Sequence, residues 1–271
     1  MRRWLLPLVL AAGCGRLNFD SVATSCRELL DAGAPSGEYT LETSAGRFAE
    51  VFCDMTTLGG GWARVVDFTA TGAECPGEWR PNADPAVCRV ADPSPLGARR
   101  SAFFASPIGP YQEVMGYVRA YQFWSTDSFN ATSVALDDNY VDGVSLTYGA
   151  AGARRHIWTY ASGWSNTDFL EPINHCPCDA GGRPPPAEVG SDYYCASGDN
   201  STPRLIDTWY IDDPLWDGRS PGPGCDTNGD PSRFQRAFPT AVADPIEVRL
   251  MVNQEGSTED IGLYRLELYV R

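Results

Sequence analysis

Three oxygen-bearing side chains alternate in a short segment in the C-terminal part of the chain. Asp226, Asn228 and Asp230 are each separated by one residue, and Gly229 lies between the last two. In a loop, such side chains can converge on one hard cation, while the glycine supplies the bend and backbone carbonyls complete the shell. We therefore predict a calcium site here. It differs from an EF-hand, because Ala237 occupies the twelfth position, where an EF-hand has a bidentate Glu.

A second acidic group lies among aromatic residues just before this segment. Aromatic rings beside carboxylates suit sugar binding, because apolar sugar faces stack on rings while hydroxyl groups bond to carboxylates or to a metal. The alternative interpretation is a core tryptophan pair beside a solvated acidic turn. The candidate ligand-binding residues are Trp209, Tyr210, Asp213, Trp216 and Asp217.

Groups suited to catalysis are few. His156 begins an apolar strand and is interpreted as structural, whereas His175 beside Cys176 and Cys178 has a spacing that would also suit zinc. The chain has no lysine, which excludes a Schiff-base mechanism. It also has no Gly-x-Ser-x-Gly motif, the nucleophile elbow of α/β-hydrolases. A carboxylate pair for glycoside hydrolysis stays open, because such a pair is defined in space. The sequence favours a binding module over an enzyme.

The N-terminal segment predicts export. Two arginines precede an apolar run that is too short to cross a bilayer, and small residues lead into Cys14. The pattern resembles the lipobox of bacterial lipoproteins, with a plain signal peptide cut nearby as the alternative. We expect residues 1–13 to be removed, Cys14 to carry the lipid and residues 14–25 to form a tether. Gly15 after the cysteine resembles the sorting pattern of outer-membrane lipoproteins in Gram-negative bacteria.

Charge and cysteine content fit an exported chain. The formal net charge is −14, and removing the two signal arginines leaves 19 basic and 35 acidic residues, or −16. Such a charge disfavours nucleic acid and anionic lipid as partners. Eight cysteines remain after Cys14, an even number that implies up to four disulfides, with Cys75 and Cys88 a plausible local pair. The connectivity of the last four stays open. The eight are Cys26, Cys53, Cys75, Cys88, Cys176, Cys178, Cys195 and Cys225.

Local patterns predict one helix and several strands. Ser25 followed by Glu28 is a capping box, which predicts a short helix from Cys26 to near Gly33. Apolar residues that alternate around residues 44–46 predict a hairpin. The remaining strand candidates are residues 134–136, 144–148, 156–160, 246–250 and 264–270, and residues 110–121 are predicted as a helix or a long strand.

Three consecutive glycines interrupt the pattern after the hairpin. Gly59, Gly60 and Gly61 cannot stabilise a strand, so they are expected to allow positive φ or a close backbone approach. Trp62 is then expected to begin a core strand with Val65 and Val66.

The segment from Val51 to Trp62, with sequence VFCDMTTLGGGW, resembles the opening of fibrinogen-like domains. Residues 25–34 and 37–39 extend the resemblance as the first helix and strand, and residues 258–271 resemble the last strand of the intelectin branch. Bacterial proteins with a similar Cys-Asp and Gly-Gly-Gly-Trp opening form the group that this chain resembles. The resemblance implies a single disulfide-bonded α+β domain over residues 26–271, with short strands and long loops.

The resemblance also bears on the site. It implies a calcium ion held by an acidic loop near a ligand pocket, and it suggests a Cys26–Cys53 disulfide, with two free buried thiols as the alternative. The glycan-binding residues of intelectins are not carried over, because this chain has no histidine after Cys195. We expect a surface-anchored, lectin-like module for carbohydrate or acetylated groups. The alternative is a structural or adhesive envelope protein that binds another protein and uses calcium only for stability.

Overall fold

The described part of the chain is built mainly of β-strands. Within it, 61% of residues are in strands and 7% are in helices, so the α+β prediction is wrong. The computed structural model describes residues 22–43, 46–83, 86–90, 98–123, 129–130, 140–141, 143–164, 185, 187, 189–198, 234–252 and 260–271.

One α-helix, one 3-10 turn and fifteen strands make up the described fold. The helix α1 spans Cys26–Asp31 and the 3-10 turn spans Thr57–Gly59. In chain order the strands are β1 Gly37–Thr43, β2 Arg47–Asp54, β3 Trp62–Thr69, β4 Arg80–Ala83, β5 Ala86–Arg89, β6 Ala98–Phe104, β7 Tyr111–Phe123, β8 Phe129–Asn130, β9 Tyr140–Val141, β10 Gly143–Tyr148, β11 Arg155–Trp164, β12 Tyr193–Gly198, β13 Phe234–Val242, β14 Ile246–Val252 and β15 Asp260–Val270.

The helix begins as its capping box predicts. The backbone N–H of Glu28 donates to Ser25 Oγ at 3.2 Å, and the Glu28 carboxylate accepts from the backbone N–H of Thr24 at 2.9 Å. The first bond satisfies a donor that the first turn of a helix leaves without an intrahelical partner, and the second fixes the residue that precedes the N-cap. The helix ends at Asp31, close to the expected stop, and buries Cys26 and Leu29.

The larger sheet has eight strands and is centred on the C-terminal strand. β15 pairs with β7 along one edge and with β3 and β5 along the other. β2 and β1 continue the sheet beyond β3, β4 continues it beyond β5, and β13 continues it beyond β7. The predicted hairpin is confirmed as β1–β2, and the predicted C-terminal strands are confirmed as β14 and β15.

The smaller sheet has five strands in the order β12-β11-β10-β14-β6, and β8 and β9 form a separate pair. β11 and β12 are parallel, whereas β10, β14 and β6 are joined by antiparallel pairing. These pairings confirm the strands predicted at 144–148 and 156–160. The strand predicted at 134–136 lies outside the described residues.

The two sheets pack face to face around one apolar core, as in a β-sandwich. Along β10 and β14, every second side chain points into this core, which is the period of a strand. The residues that meet there include Val144, Leu146, Val248 and Leu250 from the smaller sheet and Val114, Val118, Leu266 and Leu268 from the larger one.

The segment 110–121, where helix and strand were both open, forms strand β7. Its helix-like spacing arises because both faces of β7 are buried. Val114 and Val118 face the main core, while Met115 belongs to a second apolar cluster on the opposite face of the sheet. Trp62 also lies in that second cluster. It begins β3, which contains Val65 and Val66, so the predicted core strand is confirmed, and those two valines pack against the main core.

Candidate functional site

The residues predicted from sequence to bind calcium or ligand lie outside the described residues. They fall between β12 and β13, in the connection that spans residues 199–233. Cys195 lies in β12, where only its backbone is described. The predicted residues outside the description are Cys14, Cys176, Cys178, Trp209, Tyr210, Asp213, Trp216, Asp217, Cys225, Asp226, Asn228 and Asp230.

Two of the predicted disulfides are confirmed. Cys26 is bonded to Cys53 with a Cα–Cα separation of 5.4 Å, and Cys75 is bonded to Cys88 at 5.7 Å. The first bond ties α1 to the end of β2. The second closes a short loop beside β5, as its local spacing suggested.

The three glycines adopt the positive φ that the sequence predicts. Gly59, Gly60 and Gly61 have φ values of 87°, 70° and 74°. A Cβ on Gly60 would lie 2.3 Å from the carbonyl oxygen of Met55, and one on Gly61 would lie 3.1 Å from Cα of Arg27. The glycines are therefore required both for backbone conformation and for close approach.

Asp54 organises the turn that leads to these glycines. Its Oδ1 accepts from the backbone N–H of Thr56 at 2.8 Å and from that of Thr57 at 3.0 Å. Burial opposes ionisation of this carboxyl, but the hydrogen bonds from Thr57 and Thr56 outweigh it and hold its pKa below the ordinary value. The Cys-Asp pair of the opening motif is thus structural, because Cys53 forms a disulfide and Asp54 holds the turn that follows.

Arg271 covers the tryptophan of the same motif. Its guanidinium carbon lies 3.9 Å from the ring centroid of Trp62, a cation–π contact. Its Nη1 donates to the carbonyl oxygen of Gly60 at 2.8 Å, and its Nε donates to Glu113 at 2.6 Å. The indole Nε1 of Trp62 donates to the carbonyl oxygen of Thr57 at 2.8 Å, so the ring is fixed from both sides.

A set of buried polar side chains lies on the outer face of the five-stranded sheet, away from the sandwich core. Strand register places them side by side: Glu247 opposite Thr147, Thr147 opposite His156, and Ser145 opposite both Arg249 and Thr159. We call this set the polar face. Its members are Ser101, Ser145, Thr147, His156, Thr159, Glu247 and Arg249, each no more than 6% exposed.

Glu247 is the centre of the polar face. Ser101 Oγ donates to its Oε1 at 2.6 Å, and Thr147 Oγ1 donates to its Oε2 at 3.0 Å. Arg154 forms an ion pair with the same carboxylate, and Arg249 Nε lies 3.3 Å from Oε2. A carboxylate that is 2% exposed is stable in such a position only with charged and hydrogen-bonding partners.

His156 lies at the other side of the polar face. Its Nε2 is 2.8 Å from Thr159 Oγ1, which is 3.3 Å from Ser145 Oγ, while its Nδ1 has no hydrogen-bond partner among the described residues. Burial lowers the pKa of this imidazole from 6.5 to about 3, and the positive charge of Arg236 acts in the same direction. The ring is therefore neutral at physiological pH. Arg236 is itself paired with Asp192, at the edge where the two sheets meet.

The polar face contains a hydroxyl–imidazole pair of the type used in nucleophilic catalysis. However, Thr159 is fully buried and Ser145 is 3% exposed, so substrate has no access to this pair as it stands. We interpret the face as a structural network. Sequence reasoning missed it, because the alternation of Glu247 and Arg249 with apolar residues in β14 is also typical of a strand with one solvated face.

Two features are absent from the described ranges, namely a cluster of metal-binding side chains and a helix suited to crossing a membrane. These ranges contain no group of three His, Cys, Asp or Glu side chains placed to hold a metal ion. No helix among the described residues has the length and apolar character needed to cross a membrane.

Comparisons with known proteins add no family assignment. No family model matches the chain, and no solved structure gives a significant match.

Proposed function

We propose that this chain is a lipid-anchored, lectin-like binding module of the bacterial cell envelope. In this proposal the loop that contains Asp226, Asn228 and Asp230 holds calcium. The bound ion then assists recognition of a carbohydrate or an acetylated group by the neighbouring aromatic and acidic residues, Trp209, Tyr210, Asp213, Trp216 and Asp217.

The observation that carries the proposal is the alternation of three oxygen-bearing residues directly after Cys225. Carboxylate and amide oxygens are the ligands that calcium prefers, and a nearby cysteine that forms a disulfide would hold the loop in place. The resemblance of residues 51–62 to fibrinogen-like domains supports the same assignment. On this account the protein is a binding module rather than an enzyme.

The described scaffold is consistent with this role. Two disulfides are expected of a protein folded outside the cytoplasm, which supports export. The proposed site lies in the connection between β12 and β13, two strands that belong to different sheets of the sandwich. Binding residues commonly lie on such connections, because rigid strands position them while the loop stays free to vary.

A glycan array probed with the oxidised protein in calcium and in EDTA tests the proposal. Signal in calcium that is lost in EDTA and in Asp226→Ala supports it. Asp31→Ala is the matched control, because this exposed carboxylate ends α1 and lies far along the chain from the proposed site. If Asp226→Ala lowers only the melting temperature, the alternative of a structural or adhesive protein with stabilising calcium is favoured. An array that stays silent in both conditions contradicts carbohydrate recognition.

A further inference from the structure

Two exposed apolar side chains lie at the end of the molecule where the described chain begins. Val22 is 40% exposed and Phe48 is 59% exposed. They lie at the same end of the β1–β2 hairpin, because the carbonyl oxygen of Ala23 accepts from the backbone N–H of Glu42 at 2.9 Å, and Glu42 pairs directly with Phe48. We call this end, defined by Val22 and Phe48, the tether pole.

The length of chain before Val22 limits where this pole can lie. Eight Cα–Cα steps separate Cys14 from Val22 and span at most about 29 Å in any conformation. A compact domain of this length is roughly 45 Å across. If Cys14 carries the lipid, the chain cannot reach an orientation in which the tether pole faces away from the bilayer.

We infer that the tether pole docks on the lipid surface, with the ring of Phe48 among the headgroups. This inference rests on the lipid anchor of the proposed function. Phenylalanine is one of the apolar side chains that interfacial segments bury at the boundary between headgroups and acyl chains. Two carboxylates share the face of the hairpin that carries Phe48, because Glu42 pairs directly with Phe48 and Glu50 lies two residues further along β2, whereas Arg47 lies on the opposite face. Docking is therefore set by the anchor and by apolar contact, so it should persist at high salt.

Leu58 provides a matched control. It is 47% exposed, and it follows Asp54 at the opposite end of β2. Six residue steps along β2 separate Phe48 from Asp54, a distance of about 20 Å. The control position is thus apolar and exposed but lies away from the tether pole.

The test places a trifluoromethyl-labelled phenylalanine at position 48 or at position 58 of the full-length protein. Mass spectrometry first establishes acylation of Cys14. The protein is then incorporated into vesicles of the zwitterionic lipids phosphatidylethanolamine and phosphatidylcholine. Fluorine NMR measures line broadening by a nitroxide carried on a lipid headgroup and, separately, by a water-soluble gadolinium chelate, at low and high salt.

We expect the signal from position 48 to be broadened by the lipid-borne nitroxide and protected from the aqueous chelate, and the signal from position 58 to show the reverse. Equal access of the chelate to both positions overturns the inference while leaving the anchor intact. Protection of position 48 from both reagents overturns it in favour of contact with another protein or a second copy. An unmodified Cys14 overturns the anchor and the inference together, and leaves calcium-assisted binding to be judged on the glycan array.

Discussion

Glu247 and its partners explain how a charged residue can lie inside this protein. The carboxylate is held by Ser101, Thr147 and the two arginines Arg154 and Arg249. Such a network contributes less to stability than its number of contacts suggests, because all its members had to be removed from water. Removing one charged partner should nevertheless lower the free energy of unfolding strongly, because the charges that remain stay buried without compensation.

Glu247→Gln tests this network. The variant keeps the size of the side chain and removes its charge, so we expect a loss of about 3–5 kcal/mol in the free energy of unfolding, measured by urea denaturation. The control is Glu38→Gln, which disrupts an ion pair with Arg64 in which Glu38 is 57% exposed, and should cost about 0–1 kcal/mol. Similar losses for the two variants would show that the buried network is not maintained in solution.

His156 makes stability depend on pH. Its pKa is lowered to about 3 in the folded protein from an ordinary 6.5. The unfolded chain therefore binds a proton that the folded chain does not, so this contribution to stability is present above pH 6.5 and is lost as the pH falls towards 3. We expect the urea midpoint to fall steadily over this range, and His156→Gln to flatten the dependence.

Thr159→Val is the control for the histidine prediction. It removes the hydroxyl that bonds to His156 Nε2 but leaves the imidazole buried. The variant should be less stable at neutral pH, yet keep the slope of stability against pH. A slope that is unchanged in His156→Gln would assign the acid sensitivity to other groups.

At the scale of elements, the glycine turn couples three parts of the fold. The turn follows β2, approaches α1 through Gly61 and Arg27, and receives the side chain of Arg271 from the end of β15. Because Gly60 lies against the backbone of Met55, it has the least room for a side chain among the three turn glycines.

Gly60→Ala should destabilise the protein more than the same substitution at a glycine that has positive φ but open space around the added Cβ. Gly33→Ala is the control, since Gly33 has φ of 79° with nothing within 4 Å of the added Cβ. For the control we expect a loss of about 1–2 kcal/mol in the free energy of unfolding, from the left-handed conformation alone. In Gly60→Ala, contact with Met55 and a backbone conformation (φ 70°, ψ −172°) that is essentially restricted to glycine should together add about 1–3 kcal/mol, measured by urea denaturation. Equal losses would mean that the turn relaxes without cost.

Local elements could be predicted because their causes are local. The capping box at Ser25 and Glu28, the positive φ of the three glycines and the alternation of β14 and β15 are each encoded within a few residues. The spacing of 110–121 was ambiguous, because burial of both faces of β7 hides the period of a strand.

At the scale of the whole molecule, long-range pairing decided what local patterns could not. The β-sandwich depends on contacts such as β15 with β3 and β7, which join residues far apart in sequence. The polar face depends on burial of the outer side of a sheet, which no strand pattern specifies. The predicted α+β class failed for the same reason, since a fold-level resemblance based on the opening segment did not determine how the rest of the chain pairs.

The proposed calcium site at Asp226, Asn228 and Asp230 is tested most directly by thermal unfolding of the oxidised protein titrated with calcium against EDTA. An ion that binds only the folded state must raise the unfolding midpoint as its concentration increases. We predict a rise that is lost in Asp226→Ala and kept in Asp31→Ala. A midpoint that is the same in millimolar calcium and in EDTA would contradict the claim.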